Sequence, residues 1–204
     1  MKKSPKKRQA LSRERILRYA VSMRRVGEAL GVEAMSLYNH VANKAAILDG
    51  VFETVLAELP APKRSATWEA ALRDRARALR CVLRAHPNAL PIFATRPAVT
   101  PASLAHVEHV LDSLRGAGFS TRQALSAFQV VVTYVVGHTL ACYAPGTPGE
   151  TSRPAYDQLN PEQFPRVREA AALLPGHDLE REFEFGLDAL LVGFGALLAR
   201  KHQR

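Results

Sequence analysis

Residues 22–44, SMRRVGEALGVEAMSLYNHVANK, hold two short runs of helical spacing on either side of one glycine. Ser22 has a hydroxyl that accepts from an orphan N–H of an opening helical turn. Val26 and Leu30 give the first run an inward face, and Gly31 supplies the left-handed residue that stops it. Ala34 to Val41 form the second run, with Leu37 and Val41 at i, i+4 as its buried side. The other side carries Ser36, Tyr38, Asn39 and His40, and Lys44 follows at its end. Hydroxyl, phenol, amide and imidazole groups on an exposed helix reach phosphate oxygens and base edges. That is the layout of a helix-turn-helix, whose second helix enters the DNA major groove. An ordinary helical hairpin with a polar face has the same pattern, so a second property has to separate the two.

Charge provides it. The chain carries a formal net charge of +9. Residues 1–44 contain eleven Lys and Arg against three Glu, whereas the other 160 residues contain 17 basic and 16 acidic groups. Nearly all the excess positive charge therefore sits in the candidate reading head and the tail before it, as a polyanion-binding module requires. The tail MKKSPKKRQ reads either as an arm along phosphates or as a solubilising end.

The remaining chain reads as all-α. A stripe of Ile47, Leu48, Val51, Val55 and Leu59 continues from the reading head, and Pro60 and Pro62 in PAPKRS mark a domain boundary. The expected division is a helix-turn-helix domain over 1–59 and a helical domain over 60–204. Thr67 caps a helix to about Ala85. Thr100-Pro101 opens one to about Arg115, closed by Gly116 and Gly118. Ser120 and Gln123, at capping-box spacing, start a long apolar helix over about 121–143. APGTPGETSRP reads as a mobile loop. Asn160-Pro161 with Gln163 reads as the cap of a short helix, and Asp178 opens the last helix, to about Lys201.

Gly186, Gly193 and Gly195 lie in that strongly apolar last helix, where each glycine costs about 0.5–1 kcal/mol relative to alanine. Small residues let a second helix approach closely. The expectation is a homodimer in which two helices from each subunit, 121–143 and 178–201, form a four-helix bundle. Both helices being central within one subunit is the alternative.

Cys81 and Cys142 are the two cysteines, far apart in apolar stretches, so buried free thiols in a reducing cytoplasm are expected rather than a disulfide framework. The basic N-terminus lacks a signal-peptide apolar run, and no stretch approaches about 18 uninterrupted apolar residues, so no membrane span is expected. His106 and His109 lie at i, i+3 with Glu108 between them, but this is not a metalloprotease pattern and no third ligand accompanies it. With no phosphate loop, nucleophile elbow or paired-cysteine motif, neither catalytic residues, nor a bound metal, nor a cofactor are expected.

The segment LGVEAMSLYNHVANK with the following ILDGVFE resembles the tetracycline repressor (TetR) family of bacterial transcription regulators. Weaker matches continue through Trp68 with Leu72, Arg80-Cys81, Thr95-Arg96-Pro97, Gly118-Phe119-Ser120 and Gly137. The resemblance implies a cytoplasmic, homodimeric, ligand-responsive repressor with an N-terminal domain on double-stranded operator DNA and a C-terminal domain that dimerises and binds a small-molecule effector. The family's DNA-contacting positions correspond here to Arg24, Ala34, Met35, Ser36, Tyr38, Asn39, His40 and Lys44.

Two departures bear on this. LSRERILRYA runs directly into VSMRRV, where the family has a full first helix and a turn. Ser12 to Leu30 would then form one continuous helix, with Ile16, Ala20, Met23 and Leu30 on one stripe. Either the junction at Ala20–Val21 is a true deletion or a segment is missing there; the separate match of both flanks favours the second. A true deletion would leave a dimeric small-molecule-binding protein that has lost DNA binding. Second, tetracycline-responsive members hold a drug-bound magnesium through a histidine and an acid, but the corresponding places are Ile92 and Phe93, and Ala141 and Cys142. These side chains offer no hard oxygen ligand. The expected effector site is instead an apolar pocket walled by Phe93, Leu125 and Phe128, with Thr95, Arg96, Glu108, Gln129, Thr133 and His138 as polar points.

Overall fold

A computed structural model describes residues 23–63, 65–143 and 156–201, and among these every regular element is helical. Helix α1 spans Met23–Leu30, and a 3₁₀ segment follows over Ala34–Asn39. Helix α2 is Lys44–Leu56, α3 is Trp68–Ala85, α4 is the single turn Leu90–Phe93, and α5 is Pro101–Gly116. Helix α6 is Thr121–Tyr143, α7 is Pro165–Ala171, and α8 is Leu179–Lys201. Ser22, the basic tail, the Ala20–Val21 junction and most of the Ser12–Leu30 stripe lie outside the described residues, as does the segment 144–155.

The turn after α1 forms as its sequence requires. Gly31 has φ +70°, Val32 N–H donates to Gly27 O at 3.0 Å and Gly31 N–H to Glu28 O at 3.3 Å. These two bonds are the Schellman closure, in which a left-handed residue satisfies the last carbonyls of a helix. Gly118 repeats the device after α5, with φ +101° and Phe119 N–H on Leu114 O at 3.2 Å. Here the paired residues Leu114 and Phe119 are both buried.

The expected caps largely form. Thr67 accepts from Ala70 N–H, and Thr100 and Ser103 make a reciprocal capping box. Ser120 and Gln123 exchange bonds at 2.9 and 3.3 Å, and Asp178 accepts from Glu180 N–H at 2.9 Å. Asn160 differs. Its carboxamide oxygen closes a local turn on Glu162 N–H, and α7 begins only at Pro165.

The core lies between α3, α5 and α6, with α4 against α6 and α8 along the flank of α6. Trp68 at the start of α3 meets Phe119 edge-on, with ring centroids 5.1 Å apart. Four arginines of α3 face three acids of α8. Arg73 pairs with Asp188, Arg77 with Glu184 at 2.8 Å, and Arg80 and Arg84 share Glu180. Arg80 is buried, and its guanidinium also lies over the Phe183 ring, 4.3 Å from the centroid.

Helix α6 has the length and mean hydropathy, 1.5, of a spanning helix. In this fold it packs against α3, α4, α5 and α8. The cysteines depart from expectation: Cys81 is exposed, and only Cys142 is partly covered, its thiol pKa raised by burial.

The glycines of α8 divide by face. A Cβ on Gly186 would lie 2.2 Å from Tyr134 Oη and 2.6 Å from Cζ, so this glycine seats the ring within the same chain rather than between two chains. That ring is fixed by stacking on Phe183, centroids 5.4 Å apart, and by donating to Phe183 O at 2.9 Å. Gly193 faces open space, and Gly195 lies near Trp68. Gly186→Ala should therefore destabilise the fold by about 1–3 kcal/mol, since neither ring nor helix can retreat freely. Urea unfolding checks this, and an unchanged midpoint would mean that the ring moves at no cost.

Candidate functional site

Two regions collect the candidate residues. The first is the surface around the 3₁₀ segment. Leu37 is fully buried and Val41 nearly so, as the spacing predicts. The segment is wound more tightly than the expected α-helix: Ser36 N–H reaches Glu33 O, while Leu37 O receives both His40 N–H and Val41 N–H. Six residues with no side-chain cap at Glu33 have little to hold the wider α turn.

Tyr38, Asn39 and His40 are exposed together, Met35 is 72% exposed, and Ala34 and Ser36 are half-buried beside them. Arg24 is exposed on α1 and pairs with Glu28 one turn on. Lys44 is exposed at the first position of α2, just after Asn43, whose side chain accepts from Ala46 N–H. It is thus the opening residue of the next helix rather than the end of the preceding one. Gly27 also shapes this surface. A Cβ there would lie 2.7 Å from Val32 O and 3.1 Å from Ala34 N, so only glycine lets α1 sit this close to the turn. Its signal was a glycine four residues before another, inside a short helix that it would otherwise weaken.

The second region is a cavity of about 620 Å³ bounded by α2, α3, α4, α5 and α6. That is the size of a drug-like ligand site. Phe93, Thr95, Arg96, Phe128, Gln129 and Thr133 line it, together with Leu125. Two expected residues lie elsewhere. Glu108 is exposed on α5, away from the lining. His138 packs against Tyr134 and Phe183 toward α8, with a buried Nδ1 that has no hydrogen-bond partner among the described residues. Burial lowers its pKa. One cause accounts for both positions: on α5 and α6 the apolar residues spread around the helix, so periodicity does not say which side faces the cavity.

The structure adds two polar lining residues, Arg75, to which the sequence assigned no role, and His106, weighed there only as a metal ligand. Arg75 donates through Nη1 to Pro60 O at 2.7 Å, and its Nη2 lies 3.0 Å from His106 Nδ1. A guanidinium only donates, so His106 Nδ1 accepts and its neutral ring carries the proton on Nε2. Burial, then the Arg75 charge, then His109 hold the His106 pKa below the ordinary histidine value. Burial also lowers that of Arg75.

One rim of the cavity is the segment 94–98 with Ser103, and this rim is bound to α2. Arg96 pairs with Asp49 and donates to Ala45 O at 3.3 Å. Glu53, one turn further along α2, accepts from the Thr100 hydroxyl and from Ser103 Oγ at 3.0 Å. Its Oε1 also lies 3.4 Å from Val99 N. Phe52 of α2 packs on Phe93 of α4, with centroids 4.6 Å apart. The helix that leaves the helix-turn-helix is therefore held by the wall of the cavity.

Residues 60–198 match the family model described as tetracyclin repressor-like, C-terminal domain. The chain is 32% identical over 178 residues to the class D tetracycline repressor protein of Escherichia coli, covering 85% of this chain and 79% of that one. It is 36% identical over 119 residues to the HTH-type transcriptional repressor DrrR1 of Streptomyces coeruleorubidus, but spans only 44% of that relative's length against 57% of its own. Among solved structures, apo ActR from Streptomyces coelicolor superposes with a TM-score of 0.75 at 26% identity, covering 92% of this chain and 98% of that one. A possible TetR family regulator from Streptomyces coelicolor A3(2) gives 0.77 at 30% identity, covering 91% and 100%. With a helix-turn-helix joined by α2 to a helical domain that encloses a cavity, the chain belongs to the tetracycline repressor (TetR) family of transcriptional regulators.

Proposed function

We propose that this chain is a homodimeric repressor that binds double-stranded operator DNA in the cytoplasm and releases it when a small molecule occupies the cavity. In this reading residues 1–59 form the DNA-binding domain and 60–204 the effector-binding and dimerisation domain. The observation that carries it is the pair of α2 carboxylates, Asp49 and Glu53, bonded to the cavity rim at Arg96, Thr100 and Ser103. An effector that displaces this rim must move α2 or break those bonds. In a dimer, that changes the separation of two reading heads, which must sit about 34–36 Å apart to meet successive major grooves. The effector shifts the equilibrium only through different affinity for the two arrangements.

On the DNA side, Tyr38, Asn39 and His40, with Ala34, Met35 and Ser36 beside them, face the groove. Arg24 and Lys44 approach the phosphates from the adjoining helix starts. Tyr38→Ala and Lys44→Ala should each weaken operator binding by about 1–3 kcal/mol and leave thermal stability nearly unchanged, since both side chains are exposed. Gel-shift titration on the DNA upstream of the gene, beside a thermal melt, measures both. Wild-type protein that shifts no such fragment would favour the DNA-blind alternative.

Arg96→Ala should retain operator binding within a few-fold but need far more effector for release, because the rim is uncoupled from α2. Retained release at the wild-type effector concentration would remove Arg96 from the coupling.

The dimer surface follows from what α8 leaves uncovered. Phe185 is 77% exposed and Val192 73%, and with Ala189, Gly193 and Ala196 they form one open stripe at i, i+4, i+7, i+8, i+11. Val130 adds an exposed apolar residue on neighbouring α6. Apolar side chains flanking small ones suit close helix–helix packing between subunits. Val192→Arg should convert a dimer to a folded monomer in sedimentation velocity, and a monomeric wild type would end the dimer assignment.

A further inference from the structure

The cavity is not uniformly apolar: two arginines line it, of which Arg96 is paired with Asp49 and Arg75 is not paired with a carboxylate among the described residues. Arg75 stands on the α3 face shared with Leu72, Ala76 and Leu79, all lining residues. No carboxylate pairs with Arg75 among the described residues; its partners are the Pro60 carbonyl and His106 Nδ1. Those contacts use two of the five guanidinium N–H donors. The bond from Arg75 also fixes the His106 tautomer, which leaves an Nε2–H as a second donor on a ring that lines the same cavity. A half-buried cation costs free energy unless an opposite charge joins it. Every other arginine of α3 that faces a neighbouring helix has such a partner in Asp188, Glu184 or Glu180.

We infer that the effector is a mainly apolar molecule carrying one carboxylate, bound by the Arg75 guanidinium and His106 Nε2–H. This rests on the reading of the cavity as the effector site and adds the chemical class of the ligand. Two donors on adjacent side chains match two carboxylate oxygens, and charge-assisted bonds are the strong ones. The remaining wall, with Phe93, Phe128, Leu79 and Val132 among its residues, takes the apolar body. Burial first, and the Arg75 charge second, disfavour protonation of His106, which favours the neutral donor form of the ring.

The test compares two isosteric fluorescent probes, anthracene-2-carboxylate and anthracene-2-carboxamide, by equilibrium titration of the full chain at neutral pH. The carboxylate should bind at least about tenfold more tightly, the range expected for charge-assisted bonds. Arg75→Met should bring the ratio close to one, while Arg75→Lys keeps a preference for the carboxylate. Arg75→Gln, which retains donors for Pro60 O and His106, gives the same comparison should the Met variant fail to fold. A guanidinium that only anchors Pro60 would leave the ratio unmoved. Leu104→Trp, at a half-exposed wall position, should weaken both probes by narrowing the cavity. Equal affinity for the two probes, both weakened by Leu104→Trp, would overturn the carboxylate inference and leave the effector cavity standing. Failure of both probes to bind, or binding indifferent to Leu104→Trp, would overturn the cavity reading and this inference with it.

Discussion

Asp49 and Glu53 stand one helical turn apart on α2, and both carboxylates spend their bonds on the 96–103 segment rather than on their own helix. The consequence reaches the whole molecule. Helix α2 carries Ile47, Val51, Val55 and Leu56 into the continuous core, so it belongs mechanically to the body of the protein. Its N-terminus follows the reading segment after only a few residues. A cavity wall tied to such a helix cannot rearrange alone. Packed interiors are close to crystalline in density and shift between discrete arrangements rather than deforming gradually. Two charge-assisted contacts, one turn apart, also resist rotation of α2 better than a single contact would.

The cavity exists because α6 is asked to do several things at once. One side of the helix buries Ala124, Ala127, Val131 and Val135. Val131 and Val135 also line the cavity, beside Phe128, Val132 and Thr133, while Tyr134 and His138 meet Phe183 of α8. Its apolar residues are divided among the core, the cavity and the exposed Val130. The arginine ladder of α3 then fixes α8 against the bundle through polar contacts. This leaves the opposite side of α8, with Phe185 and Val192, uncovered. Partly exposed ion pairs contribute little stability individually. Buried Arg80, bonded to Glu180 and stacked on Phe183, sets the register of the two helices more firmly than the outer pairs do.

Local chemistry was legible from the residues because its causes are local. Gly31 and Gly118 end helices since a left-handed residue is needed there, and Thr67, Thr100 and Ser120 begin them since their oxygens reach orphan N–H groups. Leu37 and Val41 define the inner side of the reading segment under either helical winding, so the exposed set of Tyr38, Asn39 and His40 followed from spacing. Seven of the nine residues expected at the cavity do line it, helped by the Thr95-Arg96-Pro97 match and by large aromatic walls.

What spacing could not supply was the relation between helices. Glu108 and His138 have the residue types of a ligand site but fall outside the lining, while Arg75 and His106 become a bonded pair only when α3 and α5 meet. Gly186 looked like an interface glycine, but its neighbour is Tyr134 of the same chain. The sequence by itself determined the all-α class, the boundaries of the long helices, the reading face and the concentration of positive charge near it, because helical periodicity, capping and composition act over a few residues. Only the tertiary structure decided which faces meet and which side chains share the cavity. It also decided that the rim of that cavity holds α2, because those contacts join residues about fifty positions apart whose pairing leaves no local pattern.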